Sequence, residues 1–239
     1  MSKKQAKAAT PTEQVTATPT IRTMIVCVPD GLPTEVLTST RQLDRHLCVQ
    51  GTVSPRFWAK PLHLWQRRHM FDLRKGRPTY CAGGPSGLLD LVGMRHAAGV
   101  GAGIRYQLWA RVVHGTRPAT PWPVYLQRHL HDPAQYPLAK AEADFADQPR
   151  VLAMAIHNAA AYGAGRLDVY ELEMLQAGPM AYQHYHALTA VAGDALLDTE
   201  GAKLQPASDA MAHRVTYLDQ ARRYLDSVDE SQRLLAVAL

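Results

Sequence analysis

The residues best equipped for chemistry in this chain are cations. Between Ser54 and Arg77 stand Arg56, Lys60, Arg67, Arg68, Arg74, Lys75 and Arg77, against a single acid, Asp72. Such side chains neutralise phosphates and release condensed counterions, which yields affinity for a polyanion without reading any base. Phe57, Trp58, Trp65 and Phe71 are interleaved with them, and aromatic faces can stack on unpaired bases. The separations of Trp58, Trp65 and Phe71 also suit an apolar stripe on a helix, and core packing is the expectation for these rings. Arg105, Arg111, Arg117 and Arg150 carry the basic character further along the chain.

Other constellations are weaker. Cys81 lies in a Gly/Pro-rich loop, and Ser86 follows in Gly84-Pro85-Ser86-Gly87. A nucleophile needs a base and an oxyanion site. His96 is the nearest base, nothing orders it, and the Ser lacks the Gly-x-Ser-x-Gly spacing. The pairs His129/His131 and His184/His186 could ligate zinc, but alternate residues on a helix point about 200° apart. Gly99 to Gly103 follows a helical pattern and is not a dinucleotide fingerprint. No catalytic residue, metal or cofactor is expected, and the chain is read as not an enzyme.

The elements that must position the cations read as mostly helical. Residues 1–20 hold Lys3, Lys4 and Lys7, no aromatic residue and one branched aliphatic, so they predict a disordered basic arm. Ile21 to Val28 is apolar and β-branched enough for one strand, closed by Pro29-Asp30-Gly31. Helices are predicted from Thr34 to Cys48, from Ser54-Pro55 onward, and in two pieces over 88–112, split at Gly99, Gly101 and Gly103. Pro118, Pro121 and Pro123 mark a rigid loop, followed by helices at 138–146, 149–162, 166–177 and 179–197. A core over 21–205 then gives way to a C-terminal amphipathic helix over 206–239, with Met211, Val215, Leu218 and Leu225 in one stripe. The fold class expected is mostly α, with at most a short β element near 21–28.

Composition narrows the partners. Residues 1–120 hold 17 Lys and Arg against 6 Asp and Glu, whereas 121–239 hold 9 against 15. A chain so divided can meet a polyanion with one part, or its own copies with both. Three cysteines at irregular spacing fit neither a disulfide framework nor a zinc module, which predicts a reducing compartment. No apolar run is long enough to span a bilayer and no secretory leader is legible, so no membrane partner is expected.

One further pattern runs through residues 105–190. Arg105-Tyr106-Gln107-Leu108-Trp109 precedes His114-Gly115-Thr116-Arg117-Pro118, then Trp122, Gln135-Tyr136-Pro137-Leu138, Gln148-Pro149-Arg150, Ala160-Ala161-Tyr162 and Met180-Ala181-Tyr182. The order and spacing resemble the core of flexuous filamentous plant-virus coat proteins of the potyvirus type. The resemblance implies a helical core and a groove for the genome lined by a Ser, an Arg and an Asp. Here those positions fall on Arg117, Arg150 and His184, one match and two departures.

Residues and resemblance together predict a sequence-independent coat or nucleocapsid protein that binds single-stranded nucleic acid, RNA favoured, and polymerises helically with copies of itself. Arg56, Lys60, Arg67, Arg68, Arg74, Lys75, Arg77, Arg105, Arg111, Arg117, Arg150 and His184 would line one furrow. The location implied is a virion or host cytoplasm. The alternative is a nucleic-acid-binding accessory subunit or regulator of a ribonucleoprotein or mobile element, cytoplasmic and without filaments.

Overall fold

The computed structural model describes residues 19–33, 37 and 39–239. The predicted arm over 1–20 therefore lies almost wholly outside the described residues; Thr20, at its end, donates through N and Oγ1 to Asp209.

The centre of the fold is a mixed sheet. In it β1 (Thr23–Val28) runs antiparallel to β8 (Arg233–Ala238) and parallel to β6 (Ala195–Leu197). Strands β2 (Thr52–Val53) and β5 (Gly83–Pro85) pair with β8, and β7 (Lys203–Leu204) pairs with β6. A second, two-stranded ribbon joins β3 (Phe57–Trp58) to β4 (Tyr80–Cys81). Among the described residues there are eight α-helices: α1 (Thr40–Leu47), α2 (Leu91–Val112), α3 (Trp122–His131), α4 (Leu138–Ala146), α5 (Pro149–Ala160), α6 (Leu172–Gln176), α7 (Pro179–Ala192) and α8 (Met211–Ser227). The fold is α/β, which corrects the mostly helical expectation with its one short β element.

Alternation along the strands divides the core. Ile25, Cys27, Leu196, Leu234 and Ala236 face a layer built by α2, α7 and α8. Met24, Val26, Val28, Leu235 and Val237 face Leu43 and Leu47 of α1, together with Leu37 and Phe71. With both faces covered, β1 and β8 read as continuous apolar runs rather than alternating ones.

That double burial explains the largest misreading. Leu234 to Leu239 is built of Leu, Ala and Val, and a short apolar run cannot be told from a buried helix by periodicity. It forms β8 instead, released from α8 by a turn in which Gln232 N–H donates to Asp229 C=O (3.0 Å). Helix α7 stops short of its predicted end for a local reason. Gly193 adopts φ +65°, and a Cβ there would meet the Thr23 carbonyl oxygen at 3.0 Å. Asp194 next accepts from the backbone N–H of Arg22 and Thr23 and so sets β6 beside β1.

Two other expectations are corrected. No helix follows Ser54-Pro55; that segment is extended into β3. Nor do the glycines split α2, which runs unbroken for 22 residues, capped by the Asp90 carboxylate on Gly93 N–H. Gly99 and Gly103 lie against Gln183 and Ala187 of α7. Each glycine costs about 1 kcal/mol of helix propensity, and the close approach of α7 offsets it.

Candidate nucleic-acid interface

The chain leaves β3 and returns as β4 after a long excursion, which carries most of the candidate cations. Its base is tied by Ala59 N–H to Thr79 C=O (2.9 Å) and Lys60 N–H to Leu88 C=O (3.0 Å). Midway, Met70 and Phe71 turn into the core, and Phe71 exchanges backbone hydrogen bonds with Gly83 and Ala82. Arg74 and Tyr80 pair through their backbones beyond it. The excursion is thus pinned at both ends and in the middle, leaving two short exposed arcs.

These arcs are strongly basic. Arg67, Arg68, Arg74, Lys75 and Arg77 are all exposed. Asp72 is committed to Arg74 at 2.8 Å, and this contact raises the Arg74 pKa further. Lys60 donates to the Gly87 carbonyl (2.8 Å), and Arg68 Nε lies 3.3 Å from His69 Nε2. Among the described residues Arg67, Lys75 and Arg77 meet no carboxylate. In the first arc Leu64 is 83% and Trp65 62% exposed. The Trp65 indole lies parallel to the His63 ring, 1° between planes and 6.4 Å between centroids. The turn beneath them is closed twice, by Gln66 N–H on His63 C=O (3.0 Å) and by His63 N–H on Gln66 Oε1 (2.9 Å).

The aromatics therefore divide. Phe57 and Phe71 are core, and Trp58 is partly buried with its ring edge-on to Tyr80. Trp65 is in solvent, contrary to the expectation of a shared apolar stripe. That expectation required an α-helix through 58–71, and only a single 3-10 turn, Arg67–His69, forms here. The signal that could have found Trp65 is its setting: Leu64-Trp65 stands behind Pro61 and directly ahead of Gln66-Arg67-Arg68.

The remaining candidates do not join this group. Arg56 is internal, donating to the carbonyls of Thr189 (2.6 Å) and Ala190 (3.2 Å) at the end of α7. Arg105 lies close enough to Glu171 and Tyr182 for its charge to act on both. Arg150 donates from Nε to Thr116 Oγ1 (3.2 Å), from Nη2 to Thr116 C=O (2.9 Å) and from Nη1 to Gln176 Oε1 (2.9 Å), and lies over the Trp109 ring. Three of its five N–H groups are thereby used inside the protein. Gln176 and Gln148 clamp Ala119 and Thr120 in the same way. The Gly115-Thr116-Arg117-Pro118 and Pro149-Arg150 motifs do meet, as a loop clamp.

Arg111, Arg117 and His184 are exposed, but elsewhere. Asp90 N–H donates to Trp58 C=O (2.8 Å), so the base of the excursion sits at the start of α2. Arg111 lies at its other end, about 30 Å away at 1.5 Å per residue. Arg117 shares an open basin with Arg128 and with the carboxylates of Asp144 and Asp147. The single furrow expected from the sequence is corrected to one basic excursion over 60–77 and a separate basin of mixed charge.

The other chemical candidates are placed as follows. Cys81 is wholly buried, and burial pushes its thiol up to about 12, away from the thiolate a nucleophile requires. The Ser86 hydroxyl donates to Asp229 C=O (2.9 Å). His129 Nδ1 pairs with Tyr136 C=O. Among the described residues no group of three or more His, Cys, Asp or Glu is placed to hold a metal ion, and no helix is long and apolar enough to cross a membrane. One charged cluster was not foreseen. Tyr182 O–H donates to Glu171 Oε2 (2.6 Å), and His186 Nε2 approaches within 3.4 Å of the same residue's carboxylate without making a hydrogen bond. Burial alone would raise the Glu171 pKa; His186, Tyr182 and the Arg105 charge outweigh it and hold the carboxyl below its ordinary value.

Compared with known proteins, the chain matches no family model, no curated protein and no solved structure.

Proposed function

We propose that this protein binds nucleic acid, single-stranded RNA in the first instance, by holding phosphates along the 60–77 excursion without reading base edges. The observation that carries this reading is the exposure of Arg67, Arg68, Arg74, Lys75 and Arg77 on a pinned backbone whose one acid is already paired. Arg56, Arg105 and Arg150 have no part in it. Arg111 and Arg117 would touch only a strand long enough to reach the far end of α2.

The coat form of the proposal adds polymerisation of copies along the strand. It is favoured by the aliphatic side chains that two helices leave in solvent, Val92, Val100 and Ile104 on α2 and Leu152 and Ile156 on α5. Apolar surface of this kind suits contact between copies. In the accessory form the same interface works without filaments. Negative-stain microscopy of protein with a long single strand separates the forms: continuous filaments of protein support the coat, and discrete particles the accessory role.

The shared interface is tested by fluorescence anisotropy with a labelled oligouridylate over a salt series. Each phosphate contact on a single strand contributes about −0.7 to the slope of log K against log salt. The triple variant R67A/K75A/R77A is expected to lower affinity at least tenfold and to make the slope shallower by about 2. An unchanged slope would refute the interface.

A further inference from the structure

We infer that the Trp65 indole, set parallel to His63 at the crest of the first arc, is a seat for one unpaired base. The interface would thereby select single strands over duplex. The inference rests on the phosphate-binding reading above and names the residue that gives it a preference for strand state. The Trp65 indole is 62% exposed, so most of its ring is free to take a partner. Trp65 is the only one of the four tryptophans that is exposed. It stands on a turn closed by two hydrogen bonds through Gln66, so little ordering is left to be done on binding. Arg67 and Arg68 follow within three residues and can hold the phosphates on either side of a stacked base. In a duplex both faces of every interior base are already occupied, so away from the ends the ring has nothing to stack on.

Leu64 and Trp65 beside cations would also suit an anionic lipid surface. Two apolar side chains offer far less than the broad apolar face of interfacial helices. The flanking residues His63, Gln66 and His69 are polar, which favours a base between phosphates.

The test uses the full chain as wild type, W65A, W65F and L64A, each checked for an unchanged melting temperature. Affinities are measured for a single-stranded 12-mer and for its duplex. W65A is expected to weaken the single strand by about five- to a hundredfold, the range stacking supplies, with duplex affinity and salt slope unmoved. W65F should recover most of the loss and L64A should show none. Tryptophan fluorescence should be quenched by the single strand in wild type and not in W65A. Equal losses on both nucleic acids, or none, would overturn the inference. So would vesicles containing phosphatidylserine that bind wild type and release both L64A and W65A while oligonucleotide affinity stays constant. Failure of R67A/K75A/R77A to weaken any nucleic acid would sink the underlying reading. A loss in that variant without one in W65A would sink the base seat alone.

Discussion

The sharpest consequence of the structure concerns Arg150, the residue for which sequence resemblance and geometry give opposite answers. If Arg150 held phosphate, Arg150→Ala would cost affinity and leave the fold intact. The structure instead gives its guanidinium three hydrogen bonds, two to Thr116 and one to Gln176, and a place over Trp109. Hydrogen bonds from a charged donor are worth about 1.5–3 kcal/mol each when buried. The site is half-exposed and water can reach the vacated carbonyl, so about 1 kcal/mol apiece is the fairer figure. Loss of the ring contact adds roughly 0.5 kcal/mol. Arg150→Ala should therefore destabilise by about 3.5 kcal/mol, lowering the melting temperature of a chain this size by roughly 7–14 °C. Arg150→Lys keeps the charge but not the fork, and should recover less than half. Urea and thermal unfolding supply the first readout, and oligonucleotide affinity at a temperature where all variants are folded supplies the second. Affinity should stay within twofold. A variant that melts with wild type and loses tenfold in binding would refute the clamp.

Two further outcomes follow from the fold. Leu234→Ala and Leu235→Ala should each cost about 3 kcal/mol in urea titrations, because adjacent strand residues are buried on opposite faces; a loss below about 1 kcal/mol at either would contradict the double burial of β8. Glu171, with its pKa held below the ordinary 4.5, adds stability that is complete above that value and is lost as pH falls through its folded pKa. Glu171→Gln should then be less stable than wild type at neutral pH by about 1–2 kcal/mol, and the difference should shrink between neutral pH and acid as the carboxyl takes up its proton. Parallel curves over that range would show that Glu171 contributes no linkage.

What the sequence disclosed, and what it did not, follows from the range of each interaction. Strand β1 was legible because a run of five apolar, partly β-branched residues, Met24 to Val28, ends at Pro29-Asp30-Gly31. Helices α4 and α5 were legible from their Ala-rich sequences, with Pro137 just before the first and Pro149 opening the second. Strands β6 and β8 were not, since their pairing with β1 joins residues about 170 and about 210 positions apart; Met24 pairs with both Ala195 and Val237. The continuity of α2 depends on α7 lying against Gly99 and Gly103, which no local propensity records. At the candidate interface the charge of 60–77 was visible and its exposure was not. Arg56 and Arg67 look alike in sequence, yet one caps α7 and the other is in solvent. Trp65 was misplaced because its spacing from Trp58 and Phe71 has meaning only on a helix.

The claim on which the account turns is that a nucleic-acid strand lies on the 60–77 excursion. Ultraviolet cross-linking of the full chain to a single-stranded oligouridylate, followed by mass spectrometry of the digest, tests it most directly. The account predicts adducts within the peptides spanning residues 60–77, Trp65 foremost. Adducts concentrated around Arg117 and Arg128, with residues 60–77 unmodified, would contradict it.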